Sequence, residues 1–113
     1  MKVLVLGGAG DMARDALDEL RMEPTEPVVT VADVNLDRAT QEASMRGPRF
    51  SAQAVNVEDQ DRLVGLMKGH DITLGFVGPF YHFEKRLARA ALDAGKPYVS
   101  IADDHEAYLE VIT

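Results

Sequence analysis

The sequence predicts a doubly wound parallel α/β sheet with strand order 3-2-1-4-5 and helices on both faces. Three observations carry that expectation. Short apolar runs of strand length alternate strictly with stretches whose apolar residues recur at helical spacing, which is the pattern of βαβ units around a parallel sheet. Glycine and proline punctuate the boundaries between them. The first apolar run, Val3-Leu4-Val5-Leu6, ends in the cluster Gly7-Gly8-Ala9-Gly10 and opens straight into a helical pattern. Right-handed crossovers distribute the helices over both faces and leave a cleft where the strand order reverses, at the carboxyl ends of strands one and four.

The elements follow in order. Strands are expected at about 2–6, 28–32, 52–55, 72–77 and 98–101, and helices at about 11–22, 36–46, 59–68 and 81–94, with a last helix opening near Asp103. Met12, Ala16, Leu17 and Leu20 make the apolar stripe of the first helix. Pro24 and Pro27 end that helix, because proline lacks the N–H that a helix needs and disfavours helical backbone before it. Gly47-Pro48 stops the second helix, Gly69 the third and Gly95-Lys96-Pro97 the fourth.

Composition bounds the function. The chain has 113 residues, 46% of them hydrophobic, enough for one domain with a modest core. No apolar run is long enough to cross a membrane, and the amino terminus reads directly into the first strand, with no room for a signal peptide. The absence of cysteine excludes disulfides, thiol catalysis and thiolate metal sites and fits a cytoplasmic location. A formal net charge of −7 repels phosphate backbones, so nucleic acid is not an expected partner, and a soluble acidic surface is its plainest meaning.

The glycine cluster points to a dinucleotide. Gly8-x-Gly10-x-x-Ala13 fits the dinucleotide fingerprint, and Gly7-x-x-Gly10-x-x-Ala13 fits its close variant. Such a site needs a glycine for the tight turn, a second for close backbone approach to a pyrophosphate, and a small third residue for helix–strand packing. The helix that starts at Asp11 and Met12 offers unpaired N–H groups to the phosphates. Asp33 ends the second apolar run at close to the roughly 20-residue offset expected of the acid that binds an adenosine ribose. The residues after it, Val34, Asn35 and Leu36, include no cation, and Arg38 is expected on the following helix, pointing to solvent. A 2′-phosphate would meet like charge at Asp33, so NAD is expected in preference to NADP.

Two more segments border the cleft. Gly78-Pro79-Phe80 follows strand four, where a nicotinamide or its ribose would lie; spacing alone fits an ordinary connection equally well. Asn56 and Val57 follow strand three beside the expected adenine. The Asn56 side chain could bond an adenine edge and Val57 could cover its face; alternatively Glu58 and Asp59 simply cap a helix. Tyr81-x-x-x-Lys85 has the catalytic spacing of short-chain dehydrogenases, but it follows strand four rather than five, and Lys68 stands where that chemistry needs an upstream serine. The run Asp103-Asp104-His105-Glu106 reads as helix capping rather than a metal site, because four adjacent residues do not converge on one ion. His105 could face the cleft, His82 lies near it without a feature that makes it a base, and His70 is expected at the surface at the other end of the sheet.

Four segments together resemble the saccharopine dehydrogenase-like oxidoreductases: 3–13 with Gly-Gly-Ala-Gly; Val31-Ala32-Asp33 with Asn35 and Arg38; Gly78-Pro79-Phe80-Tyr81 with Phe83; and 88–100. The resemblance implies an amino-terminal Rossmann domain followed by a larger catalytic and dimerisation domain, and hydride transfer between NAD(P) and an amine-linked dicarboxylic acid or a related substrate. It implies cofactor contacts at Gly8, Gly10, Asp11, Met12, Asp33, Asn35, Gly78, Pro79 and Phe80. Ala13 replaces the third glycine, and Glu84 stands where many relatives have glycine. On this reading residues 1–113 are the NAD(P)-binding domain of a longer, homodimeric oxidoreductase. The substrate is held by the following domain, and no catalytic residue is named. Two alternatives stand beside it: a stand-alone nucleotide-binding or interaction module without catalysis, and a fragment of an extended short-chain dehydrogenase or epimerase, prompted by Gly7-x-x-Gly10-x-x-Ala13.

Overall fold

A parallel strand covered on both faces must be apolar on both, and Val3-Leu4-Val5-Leu6 meets that condition. The computed structural model describes residues 1–7, 11–56, 58–76 and 81–100, and for residues 11, 12, 81–84 and 100 the backbone alone. Among them the strands are β1 (Lys2–Leu6), β2 (Val28–Asp33), β3 (Phe50–Ala54), β4 (Ile72–Gly75) and β5 (Tyr98–Ser100). They alternate with α1 (Asp11–Met22), α2 (Leu36–Ser44), α3 (Gln60–Lys68) and α4 (Tyr81–Ala94). Every pairing is parallel, and the order is β3-β2-β1-β4-β5, as expected.

Alternation along the strands builds two cores. Val3, Val5, Val29, Val31 and Phe50 face Ala13 and Leu17 of α1 and Ala39 and Ala43 of α2. Leu4, Leu6, Ala32 and Val55 face Leu63 and Met67 of α3 and Leu87, Ala90 and Ala91 of α4. The four apolar residues of β1 are all buried, so this strand belongs to both cores at once.

Boundaries shift from expectation where side chains override the local pattern. β3 begins at Phe50 rather than 52, because the Phe50 ring is buried in the α1–α2 core. α2 ends at Ser44, with Met45 as its C-cap, rather than at Arg46. α3 starts at Gln60 with Asp59 outside it as the N-cap, its carboxylate accepting from Arg62 N–H at 3.3 Å. β4 ends at Gly75, although Phe76 N–H still donates to Leu6 O at 2.8 Å. Val77, Ile101, His105 and the helix expected near Asp103 lie outside the described residues.

His70 is not the surface histidine expected. It is half-buried, with Nδ1 2.7 Å from Leu66 O and Nε2 2.8 Å from Thr30 Oγ1. A carbonyl can only accept, so Nδ1 carries the hydrogen, and in the neutral ring the Thr30 hydroxyl donates to Nε2. At the outer edge, Arg62 donates from Nη2 to Ala54 O at 2.8 Å and from Nε to the same oxygen at 3.3 Å. Val55 N–H points inward to Asp33 O, so the preceding Ala54 carbonyl points away from the sheet, toward Arg62.

Gly75 is required by close approach. A Cβ there would stand 2.6 Å from Tyr98 Oη and 2.9 Å from its Cε2, and the Tyr98 hydroxyl is buried. Gly75→Ala is expected to lower stability by about 1–3 kcal/mol, the cost of overpacking a filled core, measured by urea denaturation with an unchanged m-value.

Candidate dinucleotide site

The strand order reverses at β1, which has β2 on one side and β4 on the other. Ligand crevices of open α/β sheets lie at that reversal, beyond the carboxyl ends of the strands. Gly7 follows β1 with φ 73°, a left-handed conformation that glycine adopts without steric cost. Its N–H donates to Ala32 O at 2.8 Å, which sets the turn beside the end of β2. The backbone of Asp11 and Met12 forms the first turn of α1, where helix N–H groups lack intrahelical partners.

Asp33 closes β2 and is half-buried. Its Oδ1 accepts from Asn35 N–H at 3.0 Å. Asn35 is the N-cap of α2, and its Oδ1 accepts from Arg38 N–H at 3.1 Å. Asp33 is therefore a turn residue and Asn35 the cap, and the two bonds fix the loop after β2 through its own side chains. Between them Val34 is 77% exposed, and Leu36 beyond the cap is also exposed, so this loop presents an apolar surface. Arg38 lies exposed on α2, as expected.

Beyond β3, Asn56 Oδ1 accepts from Glu58 N–H at 2.9 Å, and Asn56 O accepts from Asp59 N–H at 2.9 Å. The side-chain carbonyl expected for an adenine edge is thus engaged in the turn, and the amide is the group that remains for a base. The capping role weighed for Asp59 holds. Gly7, Asp33, Val34, Asn35 and Asn56 share the carboxyl edge of the sheet with the start of α1. Gly8, Gly10, Val57, Gly78, Pro79 and Phe80 lie outside the described residues. Among the described residues no group of His, Asp or Glu side chains could hold a metal ion, and no helix is long and apolar enough to cross a membrane.

Behind this edge a charged cluster escaped the sequence reading. Glu42 of α2 accepts from Arg14 Nε of α1 at 3.1 Å and from Arg46 Nη1 at 2.8 Å, and Arg46 Nη2 lies 2.9 Å from Asp18 of α1. Glu42 and Arg46 are 5% and 8% exposed. The Glu42–Arg46 spacing of i, i+4 was available in the sequence, but the partners on α1 were not.

The Saccharopine dehydrogenase NADP binding domain model matches residues 3–110. The chain belongs to this family. Solved structures agree in fold with the saccharopine dehydrogenase NADP-binding domain. Apo saccharopine dehydrogenase (L-Glu forming) from Saccharomyces cerevisiae is 24% identical with a TM-score of 0.79, over 97% of this chain and 23% of that one. A wide-type short-chain dehydrogenase/reductase from Veillonella parvula, in complex with NADP, is 14% identical with a TM-score of 0.72, over 88% of this chain and 46% of that one. A UDP-glucuronic acid 4-epimerase mutant from Bacillus cereus, in complex with NAD, is 16% identical with a TM-score of 0.70, over 88% and 39%. The chain thus spans less than half the length of each. At these identities the likeness is one of fold.

Two outcomes are expected. Asn35→Ala removes the cap of α2 and costs about 1 kcal/mol in denaturant unfolding. Burial alone would raise the Glu42 carboxyl, but the hydrogen bonds and charges of Arg46 and Arg14 outweigh it and hold it below the ordinary value. The stability Glu42 contributes is full above the ordinary carboxylate pKa and is lost as pH falls through the lowered one. Thermal midpoints followed from neutral pH down through the carboxylate range should therefore fall more steeply for the natural protein than for Glu42→Gln.

Proposed function

We propose that this domain holds a nicotinamide adenine dinucleotide across the carboxyl edge of its sheet, with NAD preferred to NADP, and serves an oxidoreductase whose substrate is bound by a further domain. The observation that carries the reading is Asp33 at the end of β2, with one carboxylate oxygen fixed by Asn35 N–H at 3.0 Å.

The groups present suit such a ligand. The left-handed turn at Gly7 and the first N–H groups of α1 accept a pyrophosphate close to the backbone. Asp33 accepts from ribose hydroxyls, and exposed Val34 offers apolar cover for the adenine, with the Asn56 amide at its edge. Gly78, Pro79 and Phe80 are assigned to the nicotinamide end. When bound, the cofactor supplies hydride transfer at the nicotinamide ring. The protein's part is to orient that ring and to keep the adenosine end anchored.

The family's description names NADP, as does the Veillonella parvula structure. Arg38, exposed on the first turn of α2, is the cation that a 2′-phosphate would use. The preference for NAD rests on the like charge that Asp33 would set against a 2′-phosphate. Calorimetric titration with NADH and NADPH, in the natural protein and in Asp33→Ala, decides between them. Tighter NADH binding, with the preference reduced in the variant, is the expected result. Comparable or tighter NADPH binding overturns the preference, and binding of neither overturns the cofactor reading.

A further inference from the structure

The charged cluster on α1 and α2 has a geometry beyond simple pairing. α1 and α2 lie on one face of the sheet and run parallel, each antiparallel to its strands. Arg14 faces Glu42 at 3.1 Å, and one turn further along α1 Asp18 faces Arg46, which stands two residues past the end of α2, at 2.9 Å. Signs alternate around the resulting square, which Glu42–Arg46 closes at 2.8 Å. Arg46 adds a bond from Nη1 to Glu42 O at 2.9 Å and from Nε to Asp18 Oδ1 at 3.0 Å.

The alternation disfavours slippage. Sliding α2 by one helical turn, ~5.4 Å, sets Arg46 against Arg14 in one direction and Glu42 against Asp18 in the other. Both displaced registers oppose like charges; Glu42 and Arg46 are 5% and 8% exposed, while the Arg14 and Asp18 side chains, 51% and 61% exposed, keep access to water. On this face α1 contributes Ala13 and Leu17 to the core and α2 contributes Ala39 and Ala43; the alanine side chains are small and interlock little. Partly buried ion pairs add little net stability but can specify register.

We infer that Glu42 and Arg14 are positioning residues for the dinucleotide, an inference that rests on the cofactor reading above. α1 begins where the pyrophosphate is assigned, and α2 begins three residues after Asp33, where the ribose is assigned. A ligand that spans both subsites needs the two helices in one register. A ligand that touches the Asp33 side alone does not.

The test compares ADP-ribose, which spans both subsites, with adenosine, which occupies one, by NMR titration of the intact protein. Glu42→Gln and Arg14→Gln are compared with the natural protein; Arg14→Gln leaves Glu42–Arg46 in place and spares the more buried partners. Both variants are expected to weaken ADP-ribose by about tenfold and adenosine by less than about twofold. A general loss of folding weakens both ligands alike. Equal losses, or no loss of ADP-ribose affinity in either variant, overturn the inference. If the natural protein binds neither ligand, the cofactor reading fails and this inference falls with it.

Discussion

β1 has water on neither side, and the architecture follows from that. Val3 and Val5 belong to one core and Leu4 and Leu6 to the other, so the strand needs helices on both faces and a hydrogen-bonded neighbour on each edge. β2 and β4 supply the edges. Because every crossover in such a sheet has the same hand, leaving β1 in one direction puts α1 and α2 on one face, and returning to its far side puts α3 and α4 on the other. The crevice beyond the end of β1 arises from that reversal. The proposed dinucleotide would use a gap that packing the central strand had already opened.

Much of this was legible in the residues. The continuous apolar run of β1, the helical stripe of α1 and the proline and glycine stops give the strand order, the layer arrangement and the bounds of α1 and α4 correctly. Most of what escaped was set by tertiary contact. Phe50 joins β3 because its ring finds a core built by α1 and α2, although Arg49 and Ser51 beside it give no strand pattern. Arg46 lies past the end of α2, next to Gly47, whose φ of 102° turns the chain out of the helix. His70 looks like a surface residue until β2, distant in the chain, brings Thr30 beneath it.

The candidate site was legible in type more than in detail. Residue types at the strand ends predicted the positions of Gly7, Asp33, Val34, Asn35 and Asn56 on one edge of the sheet. They did not predict that Asn35 and Asn56 each use a side-chain carbonyl to hold their own loop. Asn and Asp readily bond backbone two or three residues on, so polar residues at strand ends serve first to stiffen the connections, and what they offer a ligand is what remains. The Arg14–Glu42–Arg46–Asp18 square shows the reverse limit. One side of it can be read as an i, i+4 pair, but its meaning lies in the two rungs across to α1.

The Arg62 guanidinium on the Ala54 carbonyl has a consequence for assembly. β3 is an outer strand, and an outward carbonyl on such a strand is an invitation to another chain. Arg62 answers it from within the domain with two N–H groups on one oxygen. That acceptor at the carboxyl end of β3 is thus taken by a residue of the domain's own third helix. An incoming strand, whether from a second copy or from a misfolded neighbour, would have to displace Arg62 to use that oxygen.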